Sequence, residues 1–168
     1  MNSIETRQLR NPVILLALGF GSGLSPWAPG TAGTVVGVLL YLLMQGLPLV
    51  SYLLITACLF IVGIWICTYT AERLGVHDHP AIVIDEIVGY LITMVAAPEG
   101  WLPVVIGFLL FRLLDALKPW PISWFDRAIT GGLGIMLDDV VAGVIALAII
   151  QGLIYFQVVS CETFLAFC

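Results

Sequence analysis

The chain has 168 residues, 61% hydrophobic and only 10% charged, with a net charge of −5 and a mean hydropathy of +1.10. A soluble domain carries roughly 25% charged residues, so the composition argues against an ordinary solvated surface and for a small polytopic membrane protein. The hydrophobicity excludes disorder, six basic against eleven acidic residues disfavour nucleic-acid binding, and four Cys are too sparse for a disulfide framework.

In chain order, Pro12–Leu24 is apolar but too short and glycine-rich for a span. No A-x-A-like cleavage site follows it, so it reads as an interfacial or re-entrant element rather than a signal peptide. The uncharged stretch Gly19–Thr34 is rich in Gly and hydroxyls, without the Lys or the glycine spacing of phosphate-loop and dinucleotide fingerprints. A backbone nest for phosphate oxygens and tight helix packing in lipid are both open readings of it. No Asp, Glu, Lys or Arg occurs from Asn11 through Ala71, and a span needs about 20 apolar residues. Two spans are therefore assigned, Thr34–Leu49 and Val50–Thr70, around the turn Gly46-Leu47-Pro48. Three more are expected at Ile87–Pro98, Trp101–Leu117 and Asp139–Val158, the first of them short unless it borrows residues from Ala81 onward. Ser123–Thr130 reads as a short interfacial helix among Trp120, Ile122, Trp124 and Phe125, and Gly131-Gly132-Leu133-Gly134 breaks it. The expected fold is all-α: a single domain over residues 1–168, a bundle of about five spans plus the N-terminal segment and the interfacial helix.

With the N-terminus in the cytoplasm, Arg7, Arg10, Arg73, Arg112, Lys118 and Arg127 all fall on the inner side, as the positive-inside rule requires. Of the acids only Glu99 and Glu162 fall outside. The inner face therefore holds Asp78, Asp85, Glu86, Asp115, Asp126, Asp138 and Asp139. The doublets Asp85-Glu86 and Asp138-Asp139 each open a predicted span, where helix capping is one reading. Each is also followed by Gly at helical spacing, Gly89 after Asp85 and Gly143 after Asp139. Small residues let helices approach closely, which would bring the acid pairs together and favours a metal or catalytic role. For Asp78 and Asp126 the two readings stay level.

Arg112, Asp115 and Lys118 follow at i, i+3 and i+6 along one helix face, and Pro119 ends that helix at Lys118. Alone they would read as snorkelling anchors with an ion-pair partner; beside two acid doublets they favour a phosphate or metal site. Cys67 and Arg73 match the C-x5-R spacing of cysteine phosphatases, but no Gly lies between them and Glu72 would sit in the anion cradle, so that reading is rejected. His77-Asp78-His79 supplies no complete zinc set. Seven carboxylates from Asp78 to Asp139 against Arg112, Lys118 and Arg127 would repel a phosphorylated substrate unless a hard divalent cation intervened. All-carboxylate ligation favours Mg²⁺ over zinc. Metal-assisted hydrolysis of a membrane phosphate ester follows. A small divalent-cation transporter or channel, and a phosphatase for another membrane lipid phosphate, are the alternatives.

Four blocks resemble the phosphatidylglycerophosphatase A family: Gly19–Thr34 (GFGSGLSPWAPGTAGT), Val76–Gly89 (VHDHPAIVIDEIVG), Phe111–Arg127 (FRLLDALKPWPISWFDR) and Gly131–Gly143 (GGLGIMLDDVVAG). Their order and spacing match as well, so the likeness covers roughly residues 13–150. The resemblance implies a Mg²⁺-dependent lipid phosphatase of bacterial anionic phospholipid synthesis, while its place in the bacterial inner membrane, with the site on the cytoplasmic face, rests on this chain's own composition and charge distribution. The enzyme would convert phosphatidylglycerophosphate to phosphatidylglycerol, with membrane lipid as its partner and no obligate protein partner evident. Carried onto this chain, Asp85, Glu86, Asp138 and Asp139 become metal ligands, and Asp115 a further ligand or a base that orients water. Arg112, Lys118 and Arg127 would contact phosphate, with Ser22 and Thr31 as further candidates. Asp78 and His79 would be acid/base or supporting groups.

Overall fold

A computed structural model describes residues 8–76 and 79–156. Among them every regular element is helical: α1 (Pro12–Ala17), α2 (Pro29–Met44), α3 (Leu49–Leu74), α4 (Ile84–Thr93), α5 (Trp101–Leu117), α6 (Ile122–Ala128) and α7 (Gly131–Tyr155). Short 3₁₀ turns at Gln8–Arg10 and Gly19–Leu24 flank α1.

Among the described residues two helices, α3 with 26 residues and α7 with 25, are long and apolar enough to cross a membrane. At 1.5 Å per residue each reaches about 38 Å, more than the roughly 30 Å hydrocarbon core. The shorter α2 and α5 have 16 and 17 residues. The central α4 has only ten residues, nearly all buried, and rises about 15 Å. It is an interior helix wrapped by α2, α3, α5 and α7. The expected span Ile87–Pro98 is thus a short buried helix that ends at Thr93.

Chain punctuation explains the boundaries. Asn11 caps α1, its Oδ1 accepting the Val13 N–H at 3.0 Å while its Nδ2 donates to the Tyr69 hydroxyl at 2.9 Å. The segment after α1 folds back on residues 81–83, where Val83 N–H donates to Ala17 O at 2.9 Å. Helix α2 starts at Pro29, five residues ahead of the expected Thr34, because Pro at the first helical position is preset for helix. Gly75, at φ 67°, closes α3 in the left-handed conformation that glycine tolerates best. Helix α5 spans Trp101–Leu117 as read from the sequence, and Lys118 follows it in a left-handed cap at φ 41°.

The expected break at Gly131–Gly134 is instead the first turn of α7. A Cβ on Gly132 would lie 2.6 Å from the Thr68 backbone nitrogen, so this glycine seats α7 on α3 rather than ending a helix. In consequence Asp138-Asp139 does not open a helix but lies about two turns inside one, which removes capping as its role.

Helices α4 and α7 pack backbone to backbone. A Cβ on Gly143 would fall 2.5 Å from Gly89 O, and one on Gly89 would fall 2.8 Å from Asp139 O. The Thr93 hydroxyl donates to Gly89 O at 3.0 Å and lies 3.5 Å from Gly143 O. Gly143→Val should cost about 1–3 kcal/mol by overpacking, read as a lower melting temperature in detergent, with activity falling because the two acid-bearing helices separate.

Candidate active site

The starts of α2 and α4, the end of α5 and the inner turns of α7 surround one cavity of about 270 Å³. Its walls carry Asp85 and Glu86 from α4, Arg112 and Asp115 from α5 with Lys118 just beyond, and Asp138 and Asp139 from α7. Five carboxylates thus face two cations. Asp85, Asp138 and Asp139 are buried, and such acids are costly in an apolar bundle unless a cation or donor meets them.

The acids divide into two groups. Asp85, Glu86 and Asp139 each place a carboxylate oxygen within 4.8 Å of the others. Oxygens that share one Mg²⁺ lie about 3–4 Å apart, so small side-chain adjustments would let all three grip one ion. The Glu86 Oε2 is buried with no hydrogen-bond partner, which fits a ligand atom awaiting a cation. Asp138, expected as a fourth ligand, lies outside this cluster, with its Oδ2 2.6 Å from Lys118 Nζ and its Oδ1 buried without a hydrogen-bond partner, as Glu86 Oε2 is.

The cations are held by acids in turn. Arg112 pairs with Asp115 one turn along α5 and lies 4.0 Å from Glu86 Oε1. Lys118 Nζ donates to Asp138 and also to Asp126 Oδ1 on α6, again at 2.6 Å. Burial works against the Lys118 charge, but the two carboxylates outweigh it and hold the ammonium above its ordinary pKa. Lys118 therefore stays protonated at physiological pH and cannot serve as a general base.

The α2 wall contributes backbone. Ala28, Pro29 and Gly30 line the cavity, and no side chain caps this helix start. The first intrahelical bond is Ala32 N–H to Ala28 O, so the Gly30 and Thr31 N–H groups precede it. A Cβ on Gly30 would run into Glu86 Oε1 and sit 3.1 Å from both terminal nitrogens of Arg112.

Several expected site residues lie elsewhere. Arg127 is exposed on α6 and outside the cavity lining. The Ser22 hydroxyl lies 3.4 Å from Leu18 O within its own turn. Thr31 belongs to the first turn of α2. His79 is buried outside the lining, its Nδ1 accepting the Ala81 N–H at 3.2 Å in a local turn. Asp78 falls outside the described residues. Asp126, left open by the sequence, meets Lys118, a pairing across eight residues that no helical spacing announces. Cys67 is buried on α3 while the Arg73 guanidinium lies 5.2 Å from the Tyr69 ring centre, consistent with rejecting a cysteine phosphatase.

The family model described as Phosphatidylglycerophosphatase A matches residues 15–154. The chain belongs to this family. A phosphatidylglycerophosphatase A of Escherichia coli (strain K12) is 49% identical over 150 residues, covering 89% of this chain and 85% of the relative. One from Haemophilus influenzae is 42% identical over 158 residues, covering 93% and 97%. A protein of Bacteroides thetaiotaomicron named as a candidate phosphatidylinositol-3-phosphatase is 36% identical over 146 residues, covering 82% and 90%. No solved structure matches the chain at a significant level. Every cavity-lining residue lies within the stretch that the family model matches.

Gly30 provides a direct check that the α2 wall belongs to the site. Alanine is the better helix former by about 1 kcal/mol, so Gly30→Ala should not lower the melting temperature appreciably. Its methyl group would displace Glu86 and Arg112, and turnover should fall about tenfold or more, measured as phosphate release.

Proposed function

We propose that this chain hydrolyses the terminal phosphate monoester of phosphatidylglycerophosphate, releasing phosphatidylglycerol and inorganic phosphate. The observation that carries the reading is the convergence of Asp85, Glu86 and Asp139 opposite Arg112 and Lys118 in one cavity. The relatives from E. coli and H. influenzae, whose names specify this activity, are matched over most of their length.

In this reading Asp85, Glu86 and Asp139 hold a divalent cation, Mg²⁺ by the hardness of their oxygens. When bound, the ion supplies Lewis-acid polarisation of the phosphoryl group and a more acidic water. Arg112 and Lys118 hold the phosphoryl oxygens, and the Gly30 and Thr31 amides at the positive end of α2 add two neutral donors. Asp115, beside Arg112, accepts a proton from the attacking water in this reading. The water oxygen bonds to phosphorus, the phosphorus–oxygen ester bond breaks, and the glycerol oxygen leaves to be protonated as the alcohol. Among the described residues, no Ser, Thr, Cys or His lines the cavity, which favours direct attack by water over a hydroxyl, thiol or imidazole nucleophile.

The membrane arrangement belongs to the same proposal. Helices α3 and α7 cross fully, α2 and α5 cross with help from their flanking loops, and α4 with the residues after it completes the five-segment bundle. Arg73, Arg112 and Lys118 lie at helix ends on the cavity side, which supports a cytoplasmic site with the N-terminus inside.

The test is phosphate release from phosphatidylglycerophosphate by the purified full chain, with and without chelator. Asp85→Asn and Asp139→Asn should lose activity and also the Mg²⁺-dependent rise in melting temperature, whereas Asp138→Asn should keep that rise. Activity unaffected by chelator would remove the metal from the reading. Cation flux in liposomes with no phosphatase activity would replace it with the transporter. Thr31→Ala should retain activity because it keeps the amide donor, whereas Thr31→Pro removes that donor within a helix turn that tolerates Pro and should raise KM several-fold.

A further inference from the structure

Lys118 is held by two acids on two different helices. Its Nζ meets Asp138 Oδ2 on α7 and Asp126 Oδ1 on α6, each at 2.6 Å. An ammonium carries three N–H donors, so two are committed and one remains. Lys118 and Asp138 line the cavity, whereas Asp126 does not. With Asp138 alone, the ammonium could swing about that contact on its flexible four-carbon stem. A second anchor on another element fixes the direction of the third donor. The backbone cooperates: Lys118 sits at φ 41°, just past the last turn of α5, which turns its side chain away from the helical course. The second anchor is itself secured, because Ile122 at the start of α6 is fully buried in the main core.

We propose that Asp126 is a positioning residue for the phosphatase reaction, aiming the third Lys118 N–H at a phosphoryl oxygen in the cavity. The inference rests on the phosphatase reading above. A purely structural role, pinning α6 to the bundle, accounts poorly for the pair: its side chains are 30% and 37% exposed, and ion pairs so open to solvent add little stability. Aim costs little free energy in the resting protein, yet it changes the hydrogen bond made when a phosphate arrives. Asp126 touches no substrate in this scheme and acts only through Lys118.

The experiment is a kinetic cycle on the full chain in mixed micelles of detergent and phosphatidylglycerophosphate. It compares wild type, Asp126→Ala, Asp126→Glu, Lys118→Ala and the double variant Asp126→Ala/Lys118→Ala. Asp126→Ala is expected to lower kcat/KM about tenfold and to weaken inhibition by inorganic phosphate by a similar factor, with the melting temperature unchanged. Asp126→Glu should recover part of the loss. In the Lys118→Ala background, removing Asp126 should change kcat/KM by less than about twofold, because the group it aims is gone. Were Asp126→Ala to melt earlier, the near-isosteric Asp126→Asn carries the same two readouts, its weaker acceptor giving a smaller loss in the same direction. The inference is overturned if Asp126→Ala leaves kcat/KM and phosphate inhibition near wild type, or if its loss persists undiminished without Lys118. A wild type that releases no phosphate at all overturns the phosphatase reading and this inference together, whereas an active wild type with a silent Asp126 overturns the inference alone.

Discussion

The site depends on a backbone contact between two glycines. Gly89 on α4 and Gly143 on α7 bring their helices so close that a methyl group on either would collide with backbone of the other. Asp85 and Asp139 each stand one helical turn before these glycines, so the contact fixes how far apart the carboxylates sit. Without it the acids would be a scattered set at the edge of a bundle. With it, three carboxylate oxygens gather within 4.8 Å. Association of helices in lipid is driven by close packing and interhelical hydrogen bonds rather than by hydrophobic burial, and the Thr93 hydroxyl reaches across the same contact to Gly143 O at 3.5 Å.

Gathering acids in this way creates an electrostatic debt that the rest of the cavity manages. Buried carboxylates repel one another and resist dehydration. Arg112 and Lys118 offset part of the charge, Arg112 gripping Asp115 and Lys118 gripping Asp138. Glu86 meets Arg112 only at 4.0 Å, and it stands with Asp85 and Asp139 in the three-oxygen cluster. A divalent ion in that position and a phosphate dianion beside the two bases would complement each other, each making the other easier to bind. The same logic explains why Lys118 remains a cation: the acids that orient it also hold its proton.

Much of this was legible in the sequence because helix boundaries and close-packing glycines leave local marks. The charge-free run gave α3, and Trp101–Leu117 emerged intact because Pro119 stops it. The glycines after each acid doublet announced the α4–α7 approach. Structure and sequence part where a residue type has two uses. Gly131–Gly134 reads as a breaker, but glycine also permits close helix contact, and here Gly132 seats α7 on α3. Pro29 marks the start of α2 ahead of the hydrophobic run from Thr34. Arg127 belongs with the phosphate contacts by its charge and its place in the motif, while the rotation of α6 puts it on the exposed side. The pairing of Lys118 with Asp126 depends on a chain reversal between α5 and α6, and spacing along one helix carries no trace of it.

The position of the cavity is itself an argument about the substrate. It opens among helix ends, where α2 and α4 begin and α5 finishes, rather than midway along the bundle. A transport site would be expected near the midplane with polar groups leading away on both sides, yet α3 has no charged residue before Glu72 in its last turn. Around the charged end lie exposed aromatics: Trp27 before α2, Trp120 before α6 and Trp124 on α6. Indoles of this kind favour the boundary between headgroups and acyl chains. A lipid whose phosphate monoester lies at that boundary would meet the cavity with its headgroup while its acyl chains stayed beside the apolar flanks of α2 and α5. The separation of charge and apolar surface along the bundle thus mirrors that of an amphipathic phosphate ester, and it is this match, more than any single side chain, that favours a lipid phosphatase over an ion pathway.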